Sequence, residues 1–98
     1  MTINKTVENG KAIIAPEGHI DTLTAPELEG VIKEILPGTK ELILDFEKIG
    51  YISSAGLRVL LSAQKAMNEQ GEMKLCHVND AVNDIFEVTG FSDILTIE

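Results

Sequence analysis

The chain has 98 residues, 44% of them hydrophobic, which suits one compact domain with a single modest core. Its formal net charge is −8, from 16 acidic and 8 basic residues, and the basic residues are scattered along the chain. Nucleic-acid binding requires clustered Lys and Arg, so this pattern excludes that class of function and favours a protein partner. No apolar stretch approaches the roughly 20 residues that span a bilayer, and no secretory signal is present, so we expect a cytoplasmic protein without membrane insertion.

The first two predicted elements form a hairpin. Extended runs flank Asn9-Gly10 in "TINKTVENGKAIIAPEG", and this dipeptide suits the tight turn of a hairpin because it tolerates positive φ. We therefore predict strands near residues 2–7 and 11–17.

A helix is predicted next, over residues 25–36. Thr24, with Glu27 three residues later, fits a capping box, and Pro37 with the glycine after it ends the segment. Four aliphatic residues recur at helical spacing and would form the buried stripe of this helix: Leu28, Val31, Ile32 and Ile35.

The middle of the chain predicts a buried strand followed by a longer helix. The run "ELILDF", at residues 41–46, is short, aliphatic and without helical period, which favours a strand in a central position. A helix is predicted over residues 55–70, and Gly71 marks its end. One face of that helix would carry Leu57, Leu60, Leu61, Gln64 and Met67.

The last part of the chain predicts two more strands around a third helix. The run "EMKLCHV" is typical of a strand, Asn79 can cap the helix that follows, and "DILTI" predicts a short closing strand. Val82, Ile85 and Phe86 would be the apolar residues of that helix. The resulting order is ββαβαβαβ, which indicates an α/β single domain with a mixed, mostly parallel sheet and crossover helices stacked on it.

Two adjacent serines stand at the start of the second helix, in "YISSAGL". Ser53 or Ser54 can cap the helix by accepting a backbone N–H bond, a contribution of about 0.5–2 kcal/mol. Because a single side chain fills the cap position, capping explains the second hydroxyl poorly. The alternative is that one serine is a phosphoacceptor, since the backbone donors and dipole of a helix N-terminus tolerate a phosphate. The loop would lie at the carboxyl end of a strand, where α/β folds tend to place their sites.

Three motifs, "GHIDTLTAPEL", "LILDF" and "YISSAGLRVLL", in this order and at these intervals, resemble the STAS domain family and in particular its stand-alone anti-sigma factor antagonists. The resemblance covers essentially the whole chain, residues 1–98, as a single STAS domain. It implies a mixed sheet with helices packed on one face and a role in partner switching. This role is regulatory binding and not catalysis.

The resemblance also implies which serine is modified. The best-known family pattern in this loop is Asp-Ser-Ser-Gly-Leu, and the same columns here hold Ser53, Ser54, Ala55, Gly56 and Leu57. The commonest acceptor position is therefore an alanine in this chain. Family members that resemble this variant use the serine directly before the small residue, which implies Ser54 as the phosphoacceptor and Ser53 as the second candidate.

Other residues of the expected partner-binding surface follow from the same comparison. Asp21, in "GHID", matches a family aspartate near the phosphorylation loop, and Ser53, Ala55 and Gly56 belong to the loop itself. Arg58 replaces a residue that is commonly small in the family, one helical turn beyond the candidate acceptor. It is either a solvated arginine or a docking residue that pairs with an acidic group on the partner.

The expected partners are an anti-sigma factor serine kinase of GHKL type and a PP2C-type phosphatase. The resemblance implies that the unphosphorylated antagonist binds the kinase and frees a sigma factor, that phosphorylation stops this binding, and that the phosphatase restores it. The antagonist would be a monomer or weak dimer without a cofactor. STAS domains also serve as subunits of transporters, including lipid ABC systems, where they contact the ATPase without phosphorylation, and this role is the alternative.

Other chemistry has weaker support in the sequence. His19, His77 and the single cysteine lack metal-ligand spacing, so no metal site is predicted. Cys76 lies in a strand-like run, which predicts a buried, reduced thiol. Asp45 closes an aliphatic strand, as the acceptor of a response-regulator receiver does, but the acidic pair that a receiver needs for magnesium is missing. No nucleophile, base and orienting group can be proposed together, so we do not expect an enzyme.

Overall fold

The computed structural model describes residues 1–98 as a five-stranded sheet with three α-helices. The elements, in chain order, are β1 (Thr2–Glu8), β2 (Lys11–Ile20), α1 (Ala25–Ile35), β3 (Glu41–Asp45), β4 (Ile49–Ile52), α2 (Ser54–Gln70), β5 (Glu72–Cys76) and α3 (Asp80–Thr89). A short 3₁₀-helix follows at Phe91–Asp93. None of the helices has the length and apolar character that crossing a bilayer requires.

The sheet is built around β2, which pairs with three other strands. It forms the predicted hairpin with β1, antiparallel from the pair Thr2 and Glu17 to the pair Glu8 and Lys11. The start of β2 is parallel to β3, its end is parallel to β4, and β5 lies parallel to β3 on the far side. The prediction of a mixed, mostly parallel sheet is therefore confirmed, as is the central position of β3.

The two faces of the sheet differ in burial, as expected when helices cover only one of them. Alternate residues of β2, β3 and β5 are fully buried and belong to the same core cluster as the apolar faces of the helices: Ala12, Ile14, Leu42, Leu44, Met73 and Leu75. Their neighbours along the strands point to the other face and are only half-buried: Ile13, Ala15, Ile43 and Lys74. This period of two confirms that the helices pack on one face.

Strand β4 was not predicted from the sequence. Three residues separate it from β3, and it continues the line of β3 along β2. Strand β2 itself extends to Ile20 and not only to residue 17. Ile49 and Ile52 are buried, whereas Gly50 and Tyr51 between them are exposed. This pattern lacks the alternation of a half-buried strand, and a glycine inside it further weakens the strand signal.

The predicted closing strand "DILTI" is wrong. The 3₁₀-helix Phe91–Asp93 occupies the start of this segment, after Gly90 has turned the chain with φ of 83°. Only one isolated bridge, between Leu75 and Ile97, joins the end of the chain to β5. Leu95 is buried in the core, so the apolar pattern reflects packing and not a strand. The order is therefore ββαββαβα.

Gly56 allows the first turn of α2 to approach the ends of β2 and β4. A Cβ atom at this position would lie 2.6 Å from Cγ2 of Ile20 and 2.6 Å from Cγ1 of Ile52. Both isoleucines are fully buried, so neither side chain has room to move away. The glycine is thus required by the packing that sets the start of α2.

We predict that Gly56→Ala lowers the free energy of unfolding by about 1–2 kcal/mol, because overpacking costs about 1–3 kcal/mol and better helix propensity returns up to about 1 kcal/mol. The matched control is Gly30→Ala in α1, where an added Cβ meets nothing within 4 Å. The free energy of unfolding of this variant should rise by up to about 1 kcal/mol. Urea denaturation measures both, and a Gly56→Ala protein as stable as the wild type would contradict the packing argument.

Candidate functional site

The segment "SSAGLR" lies at the carboxyl ends of two parallel strands, where Ser53 connects β4 to α2 and Ser54 begins the helix. The N–H of Ser53 donates to the carbonyl of Ile20 at 2.8 Å, and the carbonyl of Ser53 accepts the N–H of Leu57 at 2.9 Å. These bonds fix the loop to the end of β2 on one side and to the first turn of α2 on the other. Asp21 directly follows Ile20, so the structure brings Asp21 and the two serines to the same edge of the sheet.

The two serines lie in different environments. Ser53 occupies the N-cap position of α2 with extended backbone, but its side chain makes no capping bond, and its buried Oγ has no hydrogen-bond partner. Ser54 is the first residue of α2 and is exposed. The expectation that a serine hydroxyl caps the helix is therefore wrong. The accessible hydroxyl stands instead at a helix N-terminus, beside unpaired backbone N–H groups.

Asp21 organises the turn that leads into α1. Its Oδ1 accepts the N–H groups of Thr24 and Leu23 at 3.0 and 2.9 Å. These hydrogen bonds lower the pKa of Asp21 below its ordinary value, the bond from Thr24 contributing most. The carboxylate therefore stabilises the fold above the ordinary pKa, and this contribution is lost as the pH falls through the lowered value.

The predicted capping box of α1 is wrong, because Thr24 already has helical backbone angles and its side chain bonds elsewhere. Thr24 makes no side-chain cap bond, and its Oγ1 donates to the carbonyl of His19 at 2.6 Å. Glu27 pairs with the amino group of Met1 at 3.1 Å and does not reach back to the helix start. The spacing of Thr24 and Glu27 matched the motif, but neither side chain bonds to the first turn of α1.

Two exposed side chains near this edge of the sheet, Leu23 after β2 and Tyr51 in β4, were not indicated by the sequence. Leu23 is 84% exposed and Tyr51 is 48% exposed, and the ring of Tyr51 contacts His19 edge to face at 6.1 Å between centroids. A shallow groove of about 210 Å³ separates the starts of α1 and α2, and it is lined by Thr22, Ala25, Pro26, Glu29, Ala55, Arg58 and Val59. Leu23 could have been noticed as an apolar residue outside the helical stripe of "DTLTAPEL".

The residues proposed for partner binding divide into exposed and inward-facing positions. Arg58 is exposed and has no ion-pair partner within the chain, and Ala55 lines the groove beside it. Gly56 is buried, so it affects the surface only indirectly, by letting the first turn of α2 pack closely against the strands. The structure thus presents Ser54, Ala55 and Arg58 together on the first turns of α2.

Cys76 is half-buried on the face of the sheet that the helices leave open, whereas the sequence predicted a buried thiol. Burial, and secondarily the negative charge of Asp45, raises the pKa of its thiol. A raised pKa keeps the metal-free thiol protonated at neutral pH.

Comparison with known proteins identifies the class to which this fold and loop belong. The family model described as STAS domain matches residues 2–98, and the chain belongs to this family. The putative anti-sigma factor antagonist BtrV of Bordetella bronchiseptica is 34% identical over 91 residues, which cover 91% of this chain and 78% of the relative. The match to this family leaves the receiver alternative without support.

Solved structures agree with this assignment. The anti-sigma factor antagonist SpoIIAA in its unphosphorylated form has a TM-score of 0.84 at 16% identity, covering 99% of this chain and 88% of that chain. The Bacillus cell fate determinant SpoIIAA in the phosphorylated form has a TM-score of 0.76 at 15% identity, covering 99% of this chain and 91% of that chain. A sulfate transporter family protein from Wolinella succinogenes has a TM-score of 0.78 at 26% identity, covering 93% and 75%.

We predict that Ser53→Ala does not destabilise the protein, because it removes a buried hydroxyl that makes no hydrogen bond. The matched control is Asn79→Ala at the N-cap of α3. Asn79 Oδ1 accepts the N–H of Val82 at 2.8 Å and its Nδ2 donates to the carbonyl of Ile49 at 2.8 Å, so the free energy of unfolding of this variant should fall by at least about 1 kcal/mol. Chemical denaturation of both variants checks the contrast, and an equal loss for Ser53→Ala would show that its hydroxyl does cap α2.

Proposed function

We propose that this protein is an anti-sigma factor antagonist that acts by phosphorylation-gated partner switching. In its unphosphorylated form it binds an anti-sigma factor that is also a serine kinase of GHKL type. The kinase transfers the γ-phosphoryl group of ATP to Oγ of Ser54, which releases the proton of that hydroxyl and leaves ADP. A PP2C-type phosphatase hydrolyses the phosphoserine and restores binding. The observation that carries this proposal is the exposure of Ser54 beside the inward-facing hydroxyl of Ser53.

The position of Ser54 suits a phosphate without a change of fold. It is the first residue of α2, where the N-terminal N–H groups and the positive end of the helix dipole stabilise negative charge. The loop backbone is held by hydrogen bonds to Ile20 and Leu57 that do not involve the Ser54 side chain. A phosphate would therefore add about −1.5 to −2 charges to the docking surface while the scaffold stays in place.

The proposed docking surface combines the start of α2 with the turn after β2. Ser54, Ala55 and Arg58 supply its α2 side, and Leu23 supplies an exposed apolar contact on the turn. Asp21 acts on this surface through the turn, because its carboxylate holds the N–H of Leu23. In a chain with net charge −8, an unpaired arginine at the centre of the surface favours an acidic group on the partner.

A role in a transport complex is the second candidate, and the similarity to the Wolinella succinogenes protein favours it. In that role the domain would be a constant interaction module in the cytoplasm, and Ser54 would not be modified. The neighbouring genes distinguish the two roles: a GHKL-type kinase or PP2C-type phosphatase supports switching, and a permease with an ATPase supports transport.

With its cognate kinase and ATP, the wild type is expected to gain a single phosphate. Ser53→Ala should still be modified, because its inward-facing hydroxyl is not the acceptor, whereas Ser54→Ala should gain none. Intact-mass measurement of the three proteins decides between the serines. Full modification of Ser54→Ala together with none of Ser53→Ala would assign the phosphate to Ser53.

The substitution Ser54→Asp should keep the fold and weaken kinase binding at least about tenfold, or about 1.4 kcal/mol. Asp is favourable in the first turn of a helix, but it places a charge on the docking surface. Ser62→Asp is the matched control, because Ser62 is an exposed serine two turns further along α2. Calorimetric titration measures both affinities, and the proposal fails if the two variants bind equally well.

The side chain of Arg58 is expected to contribute to kinase affinity through its charge. Arg58→Ala should leave stability within about 0.5 kcal/mol of the wild type, while it lowers both the affinity and its dependence on salt. Lys65→Ala removes the same charge from another exposed position on α2 and should change neither. Equal affinity and salt dependence for Arg58→Ala and Lys65→Ala would make Arg58 a solvated residue without a docking role.

A further inference from the structure

Three potential metal-binding side chains meet at the ends of β3 and β5. Asp45 and Cys76 are direct register partners in the parallel pair of these strands. Both are half-buried and lie on the face of the sheet that the helices leave open. His77 follows Cys76 and is exposed.

The backbone of His77 turns its side chain towards Asp45. In a continuing strand His77 would point to the opposite face from Cys76. Its φ of 57° lies in the left-handed region, which few non-glycine residues adopt, and its Nδ1 is 2.9 Å from Oδ1 of Asp45. One donor atom from each of Asp45, Cys76 and His77 therefore lies within 4.8 Å of the other two.

These separations are close to those of a tetrahedral metal site. Zinc bonds of about 2.0–2.3 Å to nitrogen, oxygen and sulfur place neighbouring ligand atoms about 3.3–3.8 Å apart. The three donor atoms, all within 4.8 Å of one another, would adjust to that spacing on binding an ion. The N–H of Glu47 already donates to Oδ1 of Asp45 at 3.0 Å, a bond of the kind that orients a ligating carboxylate.

We propose that Asp45, Cys76 and His77 bind one divalent transition-metal ion of the zinc class, with solvent in the fourth position. Thiolate and imidazole donors select such ions over magnesium and calcium, which prefer oxygen ligands. On binding, the Cys76 thiol loses its proton to solvent, and the thiolate with the Asp45 carboxylate balances the charge of the ion. Spacing in the sequence did not reveal this site, because Asp45 comes from a different strand and only the register of β3 with β5 brings it to the other two ligands.

Cobalt(II) titration of the full chain under reducing conditions tests the proposal, because cobalt replaces zinc and reports on its ligands by absorption. We expect one cobalt ion per chain, with a thiolate-to-cobalt charge-transfer band and the visible bands of a tetrahedral ion, displaced on adding zinc. Cys76→Ser should lose the charge-transfer band. Both Cys76→Ser and His77→Asn should bind zinc at least about tenfold more weakly.

The variants are chosen to preserve the backbone. Asparagine tolerates the positive φ of residue 77, and circular dichroism confirms that each variant is folded. His19→Asn removes the other histidine and should bind zinc as the wild type does. The proposal is overturned if the wild type gives no charge-transfer band, if one ion is shared by two chains, or if Cys76→Ser and His77→Asn bind zinc as tightly as the wild type.

Discussion

The hydrogen bonds along both edges of β2 hold the parts of the chain that form the proposed docking surface. One edge pairs with β1, and the other pairs first with β3 and then with β4. At the end of β2, the carbonyl of Ile20 accepts the N–H of Ser53, so the strand directly positions the start of α2. The turn after Ile20 contains Asp21 and the exposed Leu23. The loop and the turn of the proposed docking surface therefore share one anchor.

The packing around Gly56 sets how closely the start of α2 approaches the strands. Because this glycine has no Cβ, the first turn of α2 can settle onto Ile20 and Ile52. With α2 in this position, the hydroxyl of Ser53 is buried and Ser54 is exposed. A buried hydroxyl without a partner costs about 1–3 kcal/mol and contributes nothing to capping. The backbone of Ser53, and not its side chain, serves the structure at this position.

Rigid placement of the loop has a consequence for how phosphorylation would act. The loop is tied at Ile20 and at Leu57 by backbone bonds that a modified Ser54 side chain need not break. The simplest effect of a phosphate is then a local change of charge in the interface, where like charges or desolvation oppose docking. A switch of this kind needs no second conformation of the domain, so it is compatible with a small protein that has only one core.

The sequence predicted the elements whose signals are local. The Asn9-Gly10 turn predicted the hairpin, helical periodicity of apolar residues predicted the three helices, and short apolar runs predicted the strands β3 and β5. Strand β4 and the true closing segment were missed because each depends on what lies beside it: β4 on the free end of β2, and Leu95 on the core.

The motifs located the loop of Ser53 and Ser54, but only the packing of α2 shows which hydroxyl is accessible. The cluster of Asp45 with Cys76 and His77 was invisible for the same reason, since strand register and one unusual backbone angle create it. Both sites lie at the carboxyl ends of parallel strands, where side chains distant in sequence converge, and this is the part of an α/β fold that local sequence patterns describe least well.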